Sequence, residues 1–245
     1  MGTAGFPWEN PFGYLPDLCQ DKDFAFARTA FRVMALLGTR DWIPFLEMLI
    51  CTNSATATQA AECLASLPRV NAHRLLIHHL STNTDPKVRA MCAYGLRGRI
   101  GPWPSKWLPA ITEALVERLE QAEEHPFVRD ECAESLGVIF ASWLKPFAWN
   151  PLNSKQKKRV IRALFTGLMD PSTPVRFFSC YAVGQMRLKQ ALPILRSMVG
   201  DSAYFPNLWT VGEEAALAMS WIYRQPIEEP EPGRGQCPTD WPVWE

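Results

Sequence analysis

Apolar and polar positions fall along the chain in a pattern that returns at intervals. The clearest copies are VRAMCAYGLR from Val88, VRDECAESLG from Val128, VRFFSCYAVG from Val175 and VGEEAALAMS from Val211. Each has Val at position 1, small residues at positions 5, 6 and 8, and an apolar residue at position 9. Small and apolar groups at this spacing share one face of a helix, and the small ones admit a close neighbouring helix. Two earlier segments, TAFRVMALLG from Thr29 and TATQAAECLA from Thr56, fit less well. The position-9 residues Leu37, Leu64, Leu96, Leu136, Val183 and Met219 are separated by 27, 32, 40, 47 and 36 residues. An irregular period in this range predicts a helical repeat array.

A second apolar-periodic stretch precedes most of these helices: DWIPFLEMLI, NAHRLLIHHL, KWLPAITEALVERL, KKRVIRALFTGLM and ALPILRSMV. Between the two stand breakers such as TNTDPK, EEHP and DPSTP, where proline in or near a first helical turn suits its missing N–H. The repeating unit is therefore helix, turn, helix.

At this point the chain resembles the HEAT-repeat family, particularly the short bacterial repeats related to those of phycobilisome lyases. DPKVRAMCAYGL, HPFVRDECAESLG, TPVRFFSCYAVG and ALPILRSMV carry the resemblance. It implies an all-α fold, a right-handed α-solenoid of about six helical pairs, and a function of supplying binding surfaces. The division expected is a non-helical N-terminal cap over 1–22, a solenoid over 23–224 and a Pro-rich tail over 225–245. The cap expectation rests on GFPWENPFGYLP, and the tail expectation on five prolines from Pro226 to Pro242. Trp241 and Trp244 of the tail are candidates for packing back on the body.

The resemblance also assigns roles. Arg89, Arg129 and Arg176 at position 2 form a structural ladder, each bonding an acid in the turn or the adjoining unit, with Asp85 and Asp170 as candidates. The second helices line the concave side of the solenoid. Positions 3 and 7 lie together on the face turned from the core. They hold Phe31 and Ala35, Thr58 and Glu62, Ala90 and Tyr94, Asp130 and Glu134, Phe177 and Tyr181, Glu213 and Leu217. These positions contain four acids, four aromatics and no base. Such a groove suits a protein with a basic surface, because aromatics anchor and carboxylates steer, and it would repel phosphate. Tyr94, Asp130, Glu134, Phe177, Tyr181 and Glu213 are the candidate partner-binding residues.

Charge, cysteines and termini narrow the setting. Lys plus Arg and Asp plus Glu number 25 each, so no overall field draws the chain to nucleic acid or an anionic membrane. Seven cysteines without a C-x-x-C pair read as reduced thiols in a cytoplasmic protein. The N-terminus lacks the basic and apolar regions of a signal peptide. No stretch approaches the ~20 apolar residues of a membrane span.

Catalytic motifs are not found: there is no Walker-type loop, no G-x-S-x-G and no H-E-x-x-H. His73, His78 and His79 share one predicted helix without a carboxylate at a four-residue offset, so no metal or cofactor is expected. HEAT-like deoxyhypusine hydroxylases use His-Glu pairs, and this chain has no His-Glu dipeptide. A HEAT-like DNA glycosylase is the nucleic-acid alternative; Lys155, Lys157, Lys158, Arg159 and Arg162, with Arg97 and Arg99, are its best support. A phycobilin lyase subunit is the enzyme alternative. The reading adopted is a non-enzymatic protein-binding module, for example a bacterial immunity protein that neutralises a basic toxin.

Overall fold

The computed structural model describes residues 13–52, 55–67, 72–97, 106–141 and 152–225, and among these six helical pairs follow one another. The pairs are α1 (Leu15–Leu18) with α2 (Phe24–Leu37), α3 (Ile43–Cys51) with α4 (Ala57–Ser66), and α5 (Ala72–Thr82) with α6 (Pro86–Arg97). They continue as α7 (Leu108–Glu120) with α8 (Pro126–Ile139), α9 (Ser154–Gly167) with α10 (Thr173–Gln185), and α11 (Leu192–Met198) with α12 (Val211–Tyr223). Among the described residues no strand forms, and extended pairing is confined to one bridge, Tyr204 to Thr210.

The helices start where local chemistry allows. Proline stands in the first turn of α1, α3, α7, α8, α10 and α11, where a backbone N–H has no partner to lose. Helices α9 and α12 instead open with capping boxes, Asn153 with Gln156 and Thr210 with Glu213.

Packing then joins the pairs into an α-solenoid. The second helices α2, α4, α6, α8, α10 and α12 touch in chain order and form one layer. The first helices α5, α7 and α9 touch in the other layer. One apolar core runs between the layers from Leu15 to Ile222, so each unit buries its face only against its neighbours. Small residues set the spacing of the second-helix layer. A Cβ on Gly137 of α8 would stand 2.8 Å from the Ala182 Cα of α10, and one on Gly184 would stand 2.7 Å from the Ala218 Cα of α12. Buried Ser135 of α8 donates to the Ala93 carbonyl of α6 at 3.0 Å, which satisfies a polar group inside the same layer.

The expected non-helical cap needs correction. Leu15–Leu18 is a helical turn, with Pro16 and Asp17 in its first turn, and buried Leu15 packs in the core. Cys19, just past it, places its Sγ 3.8 Å from the Met34 Sδ of α2. The rest of that segment, 1–12, and the tail 226–245 lie outside the described residues, as does Arg99.

Candidate functional site

Position 2 of the repeat generates a set of inter-unit ties. Arg89 of α6 donates from Nε and Nη2 to Glu124 at 3.0 and 2.5 Å, and from Nη1 to the Asn83 carbonyl at 2.7 Å. Arg129 of α8 pairs with Asp170 and donates to the Glu124 carbonyl at 3.1 Å. Arg176 of α10 donates to Asp201 at 2.9 Å and to the Asp170 carbonyl at 2.8 Å. Each arginine thus closes its own turn and holds the acid in the turn of the following unit. Burial tends to raise the Glu124 carboxyl, but hydrogen bonds from Arg89 and the His125 N–H outweigh it and hold it below the usual value. Asp85 is not a rung. The helix of the preceding unit carries Ala57 at position 2, and Asp85 instead accepts from the Lys87 N–H at 2.8 Å.

The second-helix face differs from the expected groove: position 3 turns inward in four of the six units, and the last unit reverses this, with Glu213 at position 3 exposed and Leu217 at position 7 buried. Phe31, Ala90, Asp130 and Phe177 are all buried at position 3, whereas Glu62 and Tyr94 at position 7 are exposed. Phe177, a candidate partner contact, is 2% exposed. The long connection before α12 covers it: its ring lies 4.9 Å from Phe205 and 6.0 Å from Trp209. Asp130 is 5% exposed and accepts from the Glu131 N–H at 2.7 Å. Both residues are internal supports of the face rather than part of its surface. Glu213 is exposed, but its carboxylate caps α12, accepting from the Thr210 N–H at 2.8 Å.

What the fold does gather is a cluster across α6, α8 and α10. Arg97 lies over the Tyr94 ring, 4.1 Å from its centroid. The same guanidinium reaches Glu134 at 2.6 Å and Glu131 at 3.4 Å on α8. On α10, Tyr181 stands against Trp221 of α12 with ring centroids 5.8 Å apart, and its hydroxyl is perturbed by burial, then by Glu134. Two carboxyls, Glu131 and Glu134, therefore share Arg97, with Asp130 buried beside them. Burial first, and then the neighbouring Glu134 charge, push the Glu131 carboxyl up to about 8. Burial and Glu131 push Asp130 well above the usual carboxylate range, although the Glu131 N–H opposes them. Glu134 meets both Arg97, at 2.6 Å, and solvent, with its side chain 22% exposed.

Sequence reasoning missed Arg97 and Glu131 as members of this face. The signal was available: Arg97 is three residues after Tyr94 and Glu131 three before Glu134, the spacing of neighbours on a helix surface.

Elsewhere, Arg159 of the basic run is taken up by Glu113 and Glu120 on α7. Ring centroids of His73 and Trp107 lie 6.2 Å apart, and His79 is buried with its pKa lowered, chiefly by burial. Among the described residues, no three His, Cys, Asp or Glu side chains are grouped to hold a metal ion. Burial raises the thiols of Cys19, Cys92, Cys132 and Cys180. No described helix is long and apolar enough to cross a membrane.

Several solved structures share this backbone. Two engineered proteins are 19% and 18% identical, with TM-scores of 0.54 and 0.52. They cover 88% and 87% of this chain and 99% and 97% of their own. A designed armadillo repeat protein, solved in complex with the peptide (KR)4, is 18% identical with a TM-score of 0.50, covering 85% of this chain and 98% of its own. At these identities the likeness shows the fold, an α-solenoid of the armadillo and HEAT type. No protein-family model and no curated protein matches the sequence.

Proposed function

We propose that this α-solenoid is a non-catalytic binding module that takes a Lys- or Arg-rich segment of a partner protein on its second-helix face. The observation that supports this reading most is the cluster itself: Tyr94 and Tyr181 beside Glu131 and Glu134, with Arg97 between them. A guanidinium or ammonium arriving beside Glu134 favours the charged form of Glu131, so that Glu131 and Glu134 together take a second base beside Arg97. The tyrosine rings offer it flat, rigid contact surface at low entropic cost. Asp130 and Phe177 act from beneath by fixing α8 and α10, and the ties of Arg89, Arg129 and Arg176 fix the spacing of the units.

The designed armadillo repeat protein solved with (KR)4 is a precedent for the fold holding a peptide of this chemistry. Because the whole chain is formally neutral, attraction here is local to the face. A toxin with a basic face would be one partner of this chemistry, in a cytoplasmic setting.

Fluorescence anisotropy with a labelled peptide of alternating Lys and Arg tests the proposal. Wild type should bind with an affinity that falls as salt rises. Glu134→Lys, with Tyr94→Ala as a second variant, should weaken binding by about tenfold or more, the scale of losing about 1.4 kcal/mol. Equal affinity in wild type and both variants, at unchanged melting temperature, would move the binding site off this face.

A further inference from the structure

A second surface, on the first-helix side, is not used by this reading. A groove of about 860 Å³ runs along α9. Its floor is apolar: Leu119 of α7, Ile161 and Phe165 of α9, and Met169 just beyond α9. Met169 is 71% exposed, an unusual position for a methionine whose neighbours in the groove are also apolar.

The rim is basic. Lys158 and Arg162 stand one turn apart on α9 and both line the groove. Arg162 has a side chain 73% exposed and 3.7 Å from Glu120, while Lys158 has no hydrogen-bond or ion-pair partner among the described residues. The acids that border the groove are already engaged, Glu120 by Arg159 and Asp170 by Arg129. An apolar floor with unspent positive charge at its edge calls for an occupant that is apolar and acidic.

We propose that this groove is the docking site of the chain's own C-terminal segment, residues 226–245. That segment, PIEEPEPGRGQCPTDWPVWE, carries Glu228, Glu229, Glu231, Asp240 and Glu245 against the single base Arg234. It also carries Trp241, Val243 and Trp244 for the floor. Reach is sufficient. Next to the end of the described chain, the Tyr223 hydroxyl accepts from Arg196 of α11 at 2.6 Å. Gln190, six residues before Arg196, already lines the groove, a distance of about 9 Å at the rise of a helix. Twenty extended residues span up to ~66 Å. Docking also supplies Lys158 with a partner and Arg162 with one beside Glu120. The docked segment leaves the second-helix face open, so this proposal stands or falls independently of the peptide-binding one.

The test uses the full chain. A water-soluble carbodiimide joins lysine amines to carboxylates in contact, and peptide mapping of the monomeric product should find Lys158 linked to an acid of 226–245. A glutamate-specific protease should cut that segment about tenfold faster in Lys158→Glu with Arg162→Glu than in wild type, since cleavage follows the undocked population. Both side chains are exposed, and an unchanged melting temperature confirms the fold. Trp241→Ala with Trp244→Ala, which leaves the groove intact, should accelerate cleavage in the same way. Equal cleavage of all three chains, or links to Lys158 found only between two copies or to none of these acids, would overturn the assignment. Free cleavage in wild type would mean that the groove serves the acidic segment of another protein.

Discussion

Glu131→Gln should stabilise the protein by an amount that grows as pH rises from about 5 to about 8. The Glu131 side chain is 15% exposed and its carboxyl is pushed up to about 8, against 4.5 in the unfolded chain. Between those values the folded protein retains a proton that the unfolded chain has released. Stability from this group is therefore complete below about pH 4.5 and is lost as pH rises through about 8. Each pH unit in the window costs about 1.36 kcal/mol, so near pH 7 the loss is on the order of 3 kcal/mol. Glutamine has the same shape and no proton to lose. It forgoes the Glu131 attraction to Arg97, worth roughly 0.5–1.5 kcal/mol, but Arg97 keeps Glu134 at 2.6 Å. The net gain expected is about 1–3 kcal/mol near pH 7 and about 3–4 kcal/mol near pH 8.5, where the loss has levelled off, and at roughly 2–4 °C per kcal/mol for a chain of this size it is easily seen in a thermal melt. Near pH 5 the two proteins should melt together. A variant destabilised more near pH 8.5 than near pH 5 would refute the reasoning, because it would mean that Glu131 is held charged by Arg97.

Ala182→Leu should cost about 1–3 kcal/mol by forcing α8 and α10 apart at Gly137, and an unchanged melting temperature would contradict the close crossing. Arg129→Met should cost about 3–5 kcal/mol in urea denaturation by leaving Asp170 buried and unpaired; adding Asp170→Leu should restore much of it. Burial lowers the pKa of His79 below 6.5, so its stabilising neutral form is complete above that value and is lost as pH falls through the lowered one. His79→Leu should accordingly flatten the acid side of a melting-temperature profile, and a slope equal to wild type would count against that burial.

The repeat was legible in the sequence because one physical requirement recurs. Val88, Val128, Val175 and Val211 are all fully buried, and the small residues behind them meet small residues of the next helix. The site was less legible. Positions 3 and 7 are neighbours on one helix, but whether each faces solvent depends on what the other units lay against it. Phe177 is hidden by Phe205 and Trp209, which arrive from a connection that follows no repeat rule. Asp85 looked equivalent to Asp170 until the preceding unit was seen to offer alanine where an arginine is needed. Arg97, named in the sequence only as support for nucleic-acid binding, was not placed on this face because a pattern of chemical type at two positions cannot show a base reaching across from a third.

The arginine ties have a mechanical consequence. They join the third unit to the fourth, the fourth to the fifth and the fifth to the sixth. Position 2 is Ala30 and Ala57 in the first two units and Gly212 in the last. The array is thus a beam with arginine braces along its C-terminal two-thirds, whereas the N-terminal units are joined by lighter contacts such as Cys63 Sγ to the Phe31 carbonyl and the Asn83 amide to the Ile50 carbonyl. Strain applied by a large partner would be taken up in α1 to α4, while the spacing of α6, α8 and α10 stays constant, as a ruler requires of its graduated portion.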